Sequence, residues 1–133
     1  MLRFEVFVFS LLPDDGSDVR AQVEASVEHF VDLAPHLARS MSHAAATVNA
    51  ARPDVLVNLN GYTNGGRLEL FAMRPAALQL CAVGYTGTMG APAFLHYLLT
   101  DRISSPPEAA AGGPPERGGA YSEGLLYVPN CFL

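Results

Sequence analysis

Residues 59–75, LNGYTNGGRLELFAMRP, begin where the apolar run DVLVNL ends. Asn58, Asn60, Tyr62, Thr63, Asn64 and Arg67 cluster there around Gly61, Gly65 and Gly66. A plain turn needs only one or two such residues. Amides, hydroxyls and a single guanidinium suit a polar, uncharged ligand such as a sugar, whose hydroxyls both donate and accept hydrogen bonds. A second polar loop, GYTGTMG at 84–90, follows the apolar run LQLCAV at 78–83. Its G-x-x-G-x-x-G spacing is neither the dinucleotide fingerprint nor a Walker loop. Its glycines would still let backbone N–H groups come close to a phosphate or a sugar hydroxyl.

The remaining reactive side chains assemble no catalytic constellation. His29, His36 and His43 are spaced by seven, but Pro35 interrupts any helix that would align them and His96 is remote. No metal site is expected from that set. Asp14 and Asp15 flank Gly16 and read as turn and helix-start residues. Asp101 ends an apolar run and Arg67 opens one, each placed to serve the ligand edge or simply as a cap or ion pair. No Ser–His–Asp or Cys–His arrangement can be built, so no residue is assigned as catalytic.

Composition narrows the classes further. The eight basic residues are all arginine, they are scattered, and the net charge is −5, which argues against a nucleic-acid partner. Without lysine there is neither a P-loop nor Schiff-base chemistry. Cys81 lies in an apolar run and Cys131 near the end, without C-x-x-C spacing, as expected of thiols in a reducing compartment. No run of about 18 apolar residues would cross a membrane. The opening MLRFEVFVFS carries Glu5 within its apolar part and reads as a strand rather than a signal peptide, pointing to cytosol or nucleus.

The elements that must position the two loops follow from periodicity. RFEVFVFS (3–10) predicts a strand, and Ser17 the N-cap of a helix marked by Val19, Val23, Val27 and Phe30. HFVDL (29–33) predicts a short strand. Leu37, Met41, Ala44, Ala45 and Val48 predict one helix running from Pro35 to the ARPD turn. Strands at 55–60, 78–83, 95–101 and 124–129 and a short helix at 68–73 complete the series. Alternating strands and helices predict an α/β fold with a mainly parallel sheet and flanking helices. In such a sheet, ligands bind outside the carboxyl ends of the strands, where both polar loops would then lie. The Pro/Gly/Ala-rich stretch at 104–120 has almost no hydrophobic anchor and predicts a flexible surface insertion within one domain.

Taken in order, RFEVFVFSLLPDDGSDVR, HFVDL, DVLVNLNGYTNGGRLELFAMRPAALQ, VGYTGTMGA, YLLTD, SP and YSEGLLYVP resemble the nucleocytoplasmic protein O-GlcNAc transferases, glycosyltransferase family 41. That family also holds the SPINDLY-type protein O-fucosyltransferases. The resemblance spans nearly the whole chain outside 108–120. It implies one Rossmann-like lobe of a GT-B enzyme, a partial N-terminal catalytic lobe over 1–133. Its missing complements would be a second catalytic lobe and tetratricopeptide repeats. The activity implied is transfer of N-acetylglucosamine from UDP-GlcNAc, a substrate rather than a cofactor, to Ser/Thr of acceptor proteins, with inversion and without a metal. The implied location is cytoplasm and nucleus.

Carried onto this sequence, the family's donor-sugar segment falls on Val83, Gly84 and Tyr85, and its acceptor-facing positions on Asn64 and Arg67. Asn64 stands where the family usually has lysine, Ala82 where it has a large aromatic residue, and Thr86 where it has proline. The family's histidine-bearing segment is absent, so no histidine here inherits its role. The isolated chain is accordingly expected to be inactive. Tyr62 in NGYT favours the GlcNAc branch, whereas PNCFL leans towards the fucosyl branch. A non-catalytic α/β interaction module is the alternative of a different class.

Overall fold

The computed structural model describes residues 3–82, 84–85, 87–110 and 119–130. The elements run β1 (Phe7–Ser10), α1 (Asp18–Ser26), β2 (His29–Asp32), α2 (Ala34–Arg39), α3 (Met41–Ala50), β3 (Val55–Asn58), α4 (Leu68–Ala72), β4 (Leu78–Ala82), β5 (Tyr97–Thr100), α5 (Pro107–Ala110) and β6 (Gly124–Tyr127). Every strand pairing is parallel. The α/β class expected from the alternation of elements is the one observed. The strands nevertheless form two sheets, a β1–β2 pair and a β3–β4–β5–β6 sheet.

Burial follows sheet position. β4 lies inside the larger sheet, and its residues from Gln79 to Ala82 are all buried, as a strand covered on both faces requires. β3 has a neighbour on one side only and alternates instead, with Leu56 and Asn58 buried and Val55 and Val57 exposed. Ala44, Ala45 and Val48 of α3, with Leu70 and Phe71 of α4, pack against Leu56, Cys81, Met89, Leu95 and Leu98 to form the core. α1 buries no residue fully. It is tied down by Arg20, which lies over the Phe30 ring at 4.9 Å and pairs with Asp14, Glu24 and Asp32.

The single helix expected from Pro35 to Val48 is two helices. Ser40 sits between them in an extended conformation (φ −173°, ψ 158°), and its Oγ accepts from the His43 N–H at 3.0 Å. An N-capping serine offers the backbone an alternative to continuing the helix, and here that local bond prevails over the apolar rhythm. Ser17 caps α1 as expected, its Oγ accepting from the Arg20 N–H at 3.2 Å. Replacing either serine by alanine should lower stability by about 1 kcal/mol. The Ser40 variant should lose more, because α3 carries core residues and α1 carries none. Equal urea midpoints for both variants and the wild type would show that the caps contribute nothing.

Of the stretch 104–120, residues 111–118 lie outside the described residues. Its beginning belongs to the fold. Ser105 is fully buried, 2.8 Å from Thr100 Oγ1, and its Oγ accepts from the Tyr121 hydroxyl at 2.9 Å. Pro107–Ala110 forms one helical turn, and the Ala120 N–H donates to the Ala109 carbonyl at 3.0 Å. Hydrogen bonds supply here the anchoring that apolar side chains do not. No helix among the described residues is long and apolar enough to cross a membrane.

Candidate functional site

Because β3 and β4 are parallel, the loops that follow them leave the same edge of the sheet. Asn58, the last residue of β3, shapes the first loop. Its side chain is buried, and Oδ1 accepts from the N–H groups of Asn60 at 2.9 Å and Gly61 at 3.0 Å. That pair of hydrogen bonds to the backbone ends the strand at 58, two residues earlier than the sequence suggests. Thr63 continues the turn, its Oγ1 donating to the Asn60 carbonyl at 2.6 Å.

The two loops pack against each other with almost no space between their backbones. Gly61 takes a left-handed φ of +55°, and a Cβ there would overlap Cβ of Tyr85. A Cβ on Gly84 would overlap the Leu59 carbonyl oxygen. The rings of Tyr62 and Tyr85 meet edge to face, with centroids 5.3 Å apart and planes at 87°. The Tyr62 hydroxyl also donates to the Met89 carbonyl at 2.6 Å. The glycines thus serve first to let the loops interlock.

A buried carboxylate holds the far end of the second loop. Glu123 accepts from the Met89 N–H at 2.7 Å and from Thr88 Oγ1 at 2.7 Å. The Ser122 N–H donates to Thr88 Oγ1 at 3.1 Å. Cys81 is fully buried nearby, and burial, with a smaller contribution from the Glu123 charge, pushes its thiol up to about 11. It therefore stays protonated near neutral pH and is no nucleophile.

Of the positions assigned from the sequence, Gly84 and Tyr85 stand in the second loop against Gly61 and Tyr62, while Val83 lies outside the described residues. Asn64 is exposed in the first loop. Arg67 folds back on that loop, Nη1 donating to the carbonyls of Gly66 at 3.0 Å and Gly65 at 3.3 Å. Asp101 is a turn-forming residue. It is fully buried, and its Oδ1 accepts from the N–H groups of Ile103 and Ser104 at 2.7 and 2.8 Å. His29 Nε2 pairs with Glu5 at 2.6 Å, whereas the structure brings the rings of His36 and His43 together across the α2–α3 break, stacked at 5.0 Å. Asn58 and Tyr62 belong to the polar cluster expected from the sequence, whereas Glu123 was not singled out. The polar end of an otherwise apolar strand signals Asn58. Nothing local signals Glu123, whose partners lie 34 and 35 positions away.

The edge therefore presents amide, hydroxyl and backbone groups and two tyrosine rings, which can bind and orient a hydroxylated ligand. Comparison with known proteins agrees with that character. The model of glycosyl transferase family 41 matches residues 1–133. A probable UDP-N-acetylglucosamine–peptide N-acetylglucosaminyltransferase of Arabidopsis thaliana, SEC, is 38% identical over 97% of the chain. A UDP-N-acetylglucosamine–peptide N-acetylglucosaminyltransferase of Caenorhabditis elegans is 38% identical over 98% of it. A probable UDP-N-acetylglucosamine–peptide N-acetylglucosaminyltransferase of Arabidopsis thaliana, SPINDLY, is 34% identical over 67% of the chain. The chain spans 12%, 10% and 9% of these three relatives' lengths. A mutant O-GlcNAc transferase of Thermobaculum terrenum superposes over 97% of this chain and 22% of its own, with a TM-score of 0.77 and 25% identity.

Proposed function

The chain belongs to glycosyl transferase family 41, and from that premise we propose that it is part of a protein O-GlcNAc transferase. The longer protein moves N-acetylglucosamine from UDP-GlcNAc to Ser/Thr hydroxyls of acceptor proteins in cytoplasm and nucleus, without a metal cofactor. The observation that carries the reading is the match to the N-acetylglucosaminyltransferases of Arabidopsis thaliana (SEC) and Caenorhabditis elegans at 38% identity over 97–98% of the chain. In this reading Val83, Gly84 and Tyr85 lie beside the donor sugar, and Asn64 and Arg67 face the acceptor. The residues of this chain position the ligands. A second lobe supplies the other wall of the cleft, since transition-state binding in a cleft needs groups from both sides.

The test measures transfer from labelled UDP-GlcNAc to a Ser/Thr peptide by the longer protein and by the 133-residue chain alone. Incorporation by the former, and none above a heat-killed control by the latter, is the expected result. Incorporation only from a labelled fucose nucleotide would overturn the sugar assignment. In the longer protein, Arg67→Ala should raise the KM for acceptor more than that for donor. Equal changes in both constants, with a lowered melting temperature, would reduce Arg67 to the loop brace that its bonds to Gly65 and Gly66 already make it.

A further inference from the structure

We propose that Glu123 is a positioning residue for the donor sugar, acting on the two loops through Met89 and Tyr62 from the other edge of the sheet. The proposal rests on the functional reading above, which puts Val83, Gly84 and Tyr85 beside that sugar. Glu123 immediately precedes β6, whose first residue, Gly124, pairs with Tyr97 at the start of β5. Its backbone therefore lies at the edge opposite the one from which the two loops leave. The residue is only 6% exposed, and the second loop engages both of its carboxylate oxygens. Oε1 accepts from the Met89 N–H and Oε2 from the Thr88 hydroxyl, each at 2.7 Å. The Met89 carbonyl in turn accepts from the Tyr62 hydroxyl at 2.6 Å, and the Tyr62 ring meets that of Tyr85 edge to face. Four residues in line thus join a buried carboxylate to a ring at the ligand edge.

The arrangement accepts a carboxylate and nothing else of that size. Thr88 has one hydroxyl proton, which goes to Glu123, and its oxygen accepts from the N–H groups of Ser122 at 3.1 Å and Gly90 at 3.2 Å. Both lone pairs of that oxygen are then taken. A glutamine at 123 finds no good orientation. With its amide oxygen towards Met89, its NH2 group points at a hydroxyl that has no lone pair left to offer. Turned over, it sets two donors, NH2 and the Met89 N–H, against each other. Either way a buried polar group goes unpaired, and Met89 itself is only 1% exposed, so solvent supplies no substitute. The second loop must shift to find partners, and the shift passes through Tyr62 to Tyr85. Where a sugar has to be held for transfer, a displacement of about 1 Å costs up to roughly a hundredfold. A mere fold brace would behave differently, lowering stability while leaving the constants for the two substrates in step.

The experiment compares the longer protein with its Glu123→Gln and Thr88→Val variants. For each, the KM for UDP-GlcNAc, the KM for a Ser/Thr peptide and the melting temperature are measured. Each variant is expected to raise the KM for UDP-GlcNAc at least tenfold and to leave the peptide KM within twofold, the reverse of the split expected from Arg67→Ala. The double variant should be no worse than the worse single one, because both changes break the same tie. Ser17→Ala, which removes the cap of α1, is the control for lost stability: its melting temperature should fall with both KM values unchanged. Should Glu123→Gln fail to fold, Glu123→Asp, which keeps the charge on a shorter stem, should still raise the donor KM alone, at least threefold. Equal changes in the two KM values, no change in either, or additive effects in the double variant would overturn the proposal while GlcNAc transfer stands. Absence of GlcNAc transfer by the wild-type longer protein would instead overturn the functional reading, and this proposal with it.

Discussion

Gly84→Val protein is expected to lose roughly 2–4 kcal/mol of unfolding free energy, well above the usual cost of a loop substitution. The added Cβ would overlap the carbonyl oxygen of Leu59 and lie 3.0 Å from the Asn60 carbonyl carbon and Cα. Those atoms are backbone, so no rotamer change relieves the clash and the two loops must part. Parting also forfeits the Tyr62–Tyr85 ring contact and strains the Tyr62–Met89 hydrogen bond. Gly87→Ala provides the contrast. Its Cβ would come 3.0 Å from the Tyr85 ring, a side chain 37% exposed and free to swing, so the change should stay within about 1 kcal/mol. Urea titration of the three proteins separates the cases. A Gly84→Val midpoint equal to the wild type would show that the loops do not approach this closely.

The two loops were legible as polar loops at one edge of the sheet because residue type alone marks them, and parallel pairing brings them to one side. The reason for Gly84 was not legible. From the sequence it reads as space left for a ligand, whereas the structure fills that space with the neighbouring loop's carbonyl. Contacts between segments some 25 residues apart leave no periodic trace. Glu123 is hidden for the same cause. An acid between serine and glycine looks like a turn residue until Thr88 and Met89 are seen to donate to it.

The fold was legible where burial imposes a rhythm. LQLCAV read as a strand, and β4 is buried from Gln79 to Ala82. The break at Ser40 was missed because the apolar spacing of Leu37, Met41 and Ala44 continues through it, while the deciding bond is a single serine hydroxyl. The division into two sheets was missed as well, since strand order depends on long-range pairing and not on any local pattern.

Leu98→Ala should cost roughly 3–5 kcal/mol, the upper part of the range for truncating a buried leucine. Leu98 is 1% exposed, pairs with Cys81 on β4 and Leu125 on β6, and belongs to the main core cluster. Close-packed neighbours on both sides can collapse only partly into the void, so the cavity term adds to the lost transfer energy. Leu56→Ala removes the same atoms from β3, where Leu56 lines an open cavity of about 950 Å3. Fewer packed contacts are lost there, and about 2 kcal/mol is expected. Val57→Ala, at a residue 40% exposed, should stay below about 1 kcal/mol. Denaturant midpoints in the order wild type, Val57→Ala, Leu56→Ala, Leu98→Ala, from highest to lowest, are the prediction. A Leu56→Ala loss equal to that of Leu98→Ala would mean that β3 is covered on its free side in the isolated chain.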